Sequence, residues 1–336
     1  MAQSNIGFGI IGLGRIGAFH AESLRGAIRG ATLVAAAVDA AHRQRLLATS
    51  AAPCQLEDDV AALLARSDVE AVVIASPATL HDEHIMLAAA AGKPIFSEKP
   101  LADTVAKAEA AARAVELAAV PFQIGFQRRY DRSYARAREL IASGAIGDIE
   151  MFRGMTCDRM GPIEFLRTSG GIFMDLASHD FDAARFLTGQ EIVEVFAIGA
   201  VLIEPELETF DDVDHAVVLL RFANGALGVV QESWRAPYGY DIRAEVHGSK
   251  GKVVAEVDEK YPAVLYDDRG KVSERHDRFL ERFSDAYRAE LQAFVDALHA
   301  GTSPSPGLED GLQAMRIAAA ATRSRRSGGW VATADA

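Results

Sequence analysis

The residues suited to chemistry stand at three places in the 336-residue sequence. Gly12-Leu13-Gly14-Arg15-Ile16-Gly17 fits G-x-G-x-x-G, directly after the apolar run Ile6–Ile11 and at the start of a helical stretch, Arg15 to about Ile28. In such a turn the first glycine allows the tight reversal and the second lets a pyrophosphate approach the backbone. The third lets helix pack on strand. The helix N-terminus then offers free N–H groups and a partial positive charge to phosphate. Asp39 ends the next strand, 22 residues past Gly17, where a carboxylate can accept from both adenosine ribose hydroxyls and repel a 2′-phosphate. The pattern predicts NAD in preference to NADP, a preference that the nearby Arg43 and Arg45 weaken.

The second place is Glu98-Lys99-Pro100, which follows a strand at Pro94–Ser97 and so sits at the carboxyl edge of a sheet, where open α/β folds bind ligands. Ser76-Pro77, after a strand at Ala71–Ala75, occupies the equivalent edge; it either borders the cofactor or merely caps the helix that follows. The third place is Asp175 and His179, four residues apart on a helix that follows Gly170-Gly171, with Asp182 one turn further on. A carboxylate stacked on an imidazole suits proton transfer. The pair could also ligate a metal, but no third ligand with suitable spacing is evident. Gln127–Asp131 and Tyr238–Asp241 are polar-aromatic clusters near strand ends, open to a binding role or to surface ion pairing. Arg323–Arg326 reads as a solvated helix end.

The elements that must hold these residues fall into two textures. As far as about residue 125, short apolar strands (Ile6–Ile11, Thr32–Val38, Ala71–Ala75, Pro94–Ser97, Pro121–Gly125) alternate with helices such as His81–Ala91 and Thr104–Ala119. That pattern predicts a doubly wound parallel sheet covered on both faces. A helix at Ser133–Ser143 leads into a strand at Ile149–Thr156, and a helix follows the glycine pair as far as Leu187. Extended runs come next at Ile192–Val201, Val213–Phe222, Ala226–Trp234, Ile242–His247 and Lys252–Val257, with Asn224-Gly225 as a hairpin turn. They predict an α+β domain with a large, mostly antiparallel open sheet. Helices at Phe283–His299 and Glu309–Arg323 close the chain. The expected domains are 1–125, binding NAD, and 126–336, for substrate and oligomerisation, with the last helices able to pack back on the first domain.

Composition narrows the class. With 35 basic and 47 acidic residues, the formal charge is −12. That argues against nucleic acid and anionic membranes as partners. Two cysteines, Cys54 and Cys157, provide neither a disulfide framework nor a cysteine-rich zinc site. Met1–Asn5 lacks the start of a secretory signal, and no apolar run is long enough to span a bilayer. A cytoplasmic protein without a metal is expected.

Taken together, these residues resemble the Gfo/Idh/MocA oxidoreductases, specifically the branch that oxidises inositols. The likeness covers nearly the whole chain and rests on Gly12–Gly17, Glu98–Pro100, Gln123–Phe126, Arg128–Asp131, Ser169–Asp182, Tyr238–Asp241 and His247–Gly251. It implies a Rossmann domain followed by an open-sheet domain that builds a dimer or tetramer. It implies Lys99, Asp175 and His179 as the catalytic group, and a cis peptide before Pro100. The cofactor set becomes Gly12, Gly14, Arg15, Ile16, Gly17, Asp39, Ser76, Pro77, His81, Glu98 and Lys99, and the substrate set Arg129, Met160, Asp182 and Tyr238. The implied reaction is NAD-dependent oxidation of a secondary alcohol of a cyclic polyol, myo-inositol to 2-keto-myo-inositol first. Scyllo-inositol, an aldose or an anhydrosugar are alternatives, and a non-catalytic NAD-binding regulator is the reading from another class. One segment departs from the branch: Cys157–Pro162 stands where an Asp-Pro-containing segment is expected to face the substrate.

Overall fold

The computed structural model describes residues 4–49, 51–256, 259–261, 263–268 and 270–335. The chain divides into two compact units. One runs to Gln127 and takes back Tyr287–Leu312; the other comprises Arg128–Ala286 and the chain from Gln313 onward.

The first unit begins with β1 (Ile6–Ile11), α1 (Arg15–Gly26), β2 (Ala31–Ala37), α2 (Ala40–Ala48), β3 (Gln55–Glu57) and α3 (Val60–Ala65). It continues with β4 (Ala71–Ile74), α4 (His81–Ala90), β5 (Ile95–Glu98), α5 (Val105–Ala118) and β6 (Phe122–Gly125). The six strands are all parallel, in the order β3-β2-β1-β4-β5-β6. The order reverses beside β1, so the carboxyl ends of β1 and β4 flank the crevice where such sheets bind ligands. Strand β3 leaves no periodic sequence signal because it is three residues long and only Leu56 is buried. Apolar side chains cover both faces of the sheet. Phe8, Ile10, Ala36 and Phe96 form one core with Leu291, Phe294 and Val295, which arrive from far along the chain. Asp39, Asp59 and Thr104 cap α2, α3 and α5 by accepting backbone N–H groups.

The second unit holds α6 (Arg132–Ala142), β7 (Ile149–Cys157), α7 (Ile163–Leu166), α8 (Ser178–Thr188), β8 (Ile192–Ala200), β9 (His215–Phe222) and β10 (Leu227–Ser233). Then come β11 (Asp241–Gly248), β12 (Gly251–Ala255) and the small hairpin β13 (Leu265–Asp267) and β14 (Gly270–Val272). Helices α9 (Phe279–Ala300) and α10 (Leu308–Ser327) each continue from one unit into the other along the chain, and β15 (Val331–Ala332) ends it. The large sheet has the order β12-β11-β7-β10-β9-β8-β15 and is antiparallel except between β7 and β10. Burial alternates along β9 and β10, as expected for a sheet with one covered face. Asn224 and Gly225 turn the β9–β10 hairpin, with Gly225 at φ +87°.

Three expectations shift. Strand β9 starts at His215 instead of Val213, because the Asp214 carboxylate accepts N–H groups from Leu202, Ile203 and Glu204 and holds a turn there. Strand β12 ends at Ala255; Val257, expected at its end, lies outside the described residues, as do Met1–Gln3. The helix after Gly170-Gly171 is not uniform: Phe173–Ala177 forms a π-turn that runs into α8. Among the described residues, no helix is long and apolar enough to cross a membrane.

Candidate active site

The glycine turn after β1 meets both of its packing demands. Gly12 sits at φ +93°, and a Cβ there would lie 2.7 Å from the Ala75 carbonyl oxygen. A Cβ on Gly17 would collide with the Gly12 carbonyl oxygen. Gly14 is different: beyond its chain neighbours, none of the described residues comes within 4 Å of where its Cβ would be. Its backbone opens onto free space at the N-terminus of α1, where no side chain caps the helix and the first turn holds no acid. An uncapped helix end behind an open glycine fits a dinucleotide pyrophosphate. Asp39 is exposed, and its carboxyl is held below the usual range, chiefly by the His42 N–H that it accepts at 2.9 Å. Arg43, which could have served a 2′-phosphate, pairs with Asp58 at 3.1 Å. These residues fit NAD.

At the ends of β4 and β5, one histidine ties two strands together. His81 is buried, with Nδ1 2.6 Å from the Pro100 carbonyl oxygen and Nε2 2.9 Å from that of Ser76. Burial pushes its pKa down, so the ring keeps one N–H and serves one carbonyl at a time. The Ser76 hydroxyl bonds to His84 Nδ1 at 2.9 Å. The Lys99–Pro100 peptide is cis. Between Ile95 and Ala102 every residue is buried except Lys99, so the lysine alone leaves the packed strand end. Glu98, expected toward the cofactor, turns inward instead: it is 8% exposed and lies 2.7 Å from His20 Nε2.

The same one-sided exposure marks the second unit. From Ile172 through Arg185 every residue is buried except Asp175 and His179. A π-turn makes more than four residues per revolution, so positions four apart stay on one side there. Gly170 and Gly171, at φ +86° and +82°, make the entry to this segment. Asp212 then pins it, accepting the Ile172 N–H at 3.0 Å and its own neighbour's at 2.8 Å. Burial raises the Asp212 pKa. No spacing rule pointed to Asp212; the acid-rich run Asp211–Asp214 was the signal available.

The expected substrate residues divide into two kinds. Asp182 is 1% exposed and accepts both fork nitrogens of Arg129, at 2.9 and 2.6 Å, while that guanidinium sits 5.3 Å from the Phe186 ring centroid. They form a braced pair, with Asp182 turned inward. Tyr238 is 53% exposed beneath the Arg275 guanidinium, and its hydroxyl is pushed up to about 12, first by burial and then by Cys157. Met160 is half-buried; its N–H donates to the Trp234 carbonyl, and Asp158 N–H to that of Ser233, so the departing loop is tied to the end of β10.

Residues 6–126 match the oxidoreductase family with an NAD-binding Rossmann fold, and residues 134–254 match the GFO/IDH/MocA C-terminal domain. A myo-inositol 2-dehydrogenase of Thermotoga maritima is 39% identical over 94% of this chain and 95% of its own length. An inositol 2-dehydrogenase of Rhizobium meliloti is 39% identical over 94% and 96%. The scyllo-inositol dehydrogenase of Lactobacillus casei, solved with NAD(H) and scyllo-inositol, superimposes with a TM-score of 0.92 at 31% identity, covering 98% of this chain and 100% of that one. The chain belongs to the Gfo/Idh/MocA oxidoreductases.

Proposed function

We propose that the protein oxidises a secondary alcohol of an inositol with NAD, myo-inositol to 2-keto-myo-inositol before scyllo-inositol or other sugars. The observation that carries this is that Lys99, Asp175 and His179 are each half-buried on otherwise fully buried segments, in a chain of this family. Gly12–Gly17 and Asp39 hold the cofactor, which supplies the hydride acceptor. His179 takes the hydroxyl proton as general base, since an imidazole titrates near working pH. Lys99 stabilises the negative charge that develops on that oxygen, and Asp175 orients its partner and balances charge. Met160, Tyr238 and Arg129 contact the polyol, Asp182 holding Arg129. In this reading residues 1–125 serve the cofactor, residues 126–336 serve substrate and assembly, and the protein works in the cytoplasm.

Homo-oligomerisation has a face that supports it. On the large sheet, Ile198, Leu219, Leu227 and Met151 are exposed, flanked by the ion pairs Arg221–Glu194 and Arg153–Glu245. Analytical ultracentrifugation tests it; a monomer at micromolar concentration removes this part. The activity is tested by initial rates of NADH formation across inositols, aldoses and anhydrosugars. Lys99→Ala and His179→Ala should each lower kcat by roughly 10²-fold or more. Near-normal turnover in both sinks the assignment, and tight NAD binding without any turnover favours a regulator.

A further inference from the structure

One group of buried titratable side chains in the first unit has no part in this chemistry as described. His20 on α1, Glu98 at the end of β5 and Glu290 on α9 are 0%, 8% and 0% exposed. His20 Nε2 lies 2.7 Å from Glu98 Oε1, and the facing atoms of all three side chains fall within 4.8 Å of one another. Neither carboxylate oxygen of Glu290 has a hydrogen-bond partner among the described residues. The neighbourhood is tight. The His20 ring meets Phe96 and Tyr287 edge-on at 5.4 and 6.1 Å, and a Cβ on Gly125 would come within 3.0 Å of Glu98 Oε2.

We propose that His20, Glu98 and Glu290 act as one positioning unit for Lys99, the two buried carboxyls sharing a single negative charge. The proposal rests on the reading of Lys99 given above. Two ionised carboxylates this close in a dry core would repel each other and forfeit their hydration. Burial first, and then the charge of Glu98, push the Glu290 acid well above the usual carboxylate range. Among the described residues, the histidine and acidic groups facing Glu290 are Glu98 from β5 and His20 from α1, with Tyr287 of its own helix against the His20 ring; Gln123 on β6 donates to the Glu290 main-chain carbonyl at 3.0 Å and fixes α9 there. A divalent cation is the competing occupant, although His20 Nε2 already lies at hydrogen-bond distance from Glu98. Lys99 follows Glu98 directly. Its backbone is therefore held on one side by the clamped Glu98 and on the other by His81 at Pro100. His20 and Glu290 hold Lys99 in place without touching a reacting atom.

The test uses the full-length protein with NAD and its best inositol. Glu290→Ala should lower kcat by about tenfold, less than the roughly 10²-fold lost with an electrostatic group itself, with the NAD dissociation constant within about twofold. Glu290→Gln, neutral and of the same shape, should restore most of that kcat. Because the Gln side chain carries no proton to lose, its unfolding midpoint should exceed the wild type's by a margin that widens from pH 5.5 to pH 8. A margin flat in pH overturns the proposal, even where Glu290→Ala does not fold. So does a Gln variant as slow as Ala, or one equivalent of divalent metal per chain by elemental analysis. Lys99→Ala run alongside separates the two ideas: if it keeps its turnover, the reading of Lys99 fails while the pH-dependent margin still reports on the buried acids.

Discussion

Each unit keeps a buried acid beside a residue assigned to catalysis, and the two are compensated by different means. In the first, Glu290 stands near Glu98, the neighbour of Lys99, and the partner of Glu98 is a histidine. In the second, Glu232 is 1% exposed near Asp180, the neighbour of His179, and the partner of Asp180 is Arg128 at 2.9 Å. Thr156 adds its hydroxyl to Asp180 at 2.5 Å and accepts from Arg128 at 2.8 Å. Burial, and then Asp180, raise the Glu232 pKa well above the ordinary range, as burial and Glu98 raise that of Glu290. The second cluster thus contains a permanent cation, whereas the first relies on an imidazole that donates to Glu98 whether neutral or charged. A guanidinium locks its partner's charge; an imidazole only needs to point the right way.

The largest expected consequence is in the second unit. Arg128→Met leaves Asp180 as an uncompensated buried charge and should cost about 3–5 kcal/mol in chemical denaturation. His20→Gln keeps a donor toward Glu98 and should cost only about 1 kcal/mol. Equal losses would erase the contrast between the two cluster types.

The paired acids give the next effect, and its sign follows from proton uptake. A carboxyl whose folded-state pKa is raised keeps its stabilising contribution below the unfolded value, near 4.5, and loses it as pH rises toward the folded value. Across that window the unfolded chain has released the proton and the folded chain has not. Stability should therefore fall by about 1.4 kcal/mol per pH unit for each acid. Glu232→Gln and Glu290→Gln should each remove one such slope in urea unfolding followed at several pH values. If only Glu232→Gln flattens the curve, Glu290 is ionised and the clusters are not alike.

The smallest effect compares the two capping aspartates. Asp212→Ala strands buried N–H groups at the π-turn and should cost about 1–3 kcal/mol. Asp39→Ala removes an exposed cap, costing about 1 kcal/mol or less by thermal unfolding, while weakening the preference for NAD over NADP. A larger stability loss at Asp39 than at Asp212 would reverse this ranking.

The α/β alternation, the glycine turn with Asp39, and the hairpin at Asn224-Gly225 were legible because each is a local pattern: period, turn conformation, short spacing. The stretch around Asp175 and His179 was legible as a face, but not as a π-turn, whose entry is held by Asp212, 40 residues from Ile172. The inward turn of Glu98 and of Asp182 was not legible at all. Their partners lie 78 and 53 residues away, and sequence shows the acid but not what it meets.

By itself, then, the sequence marked the glycine turn and the Asp175–His179 face as candidates for dinucleotide binding and proton transfer, because those functions need fixed residue types at fixed short spacings. Only the tertiary structure decided which of the many acids are buried together and which of them meet a partner. That depends on solvent removed and partners brought in from distant segments, as when α9 delivers Glu290 to Glu98.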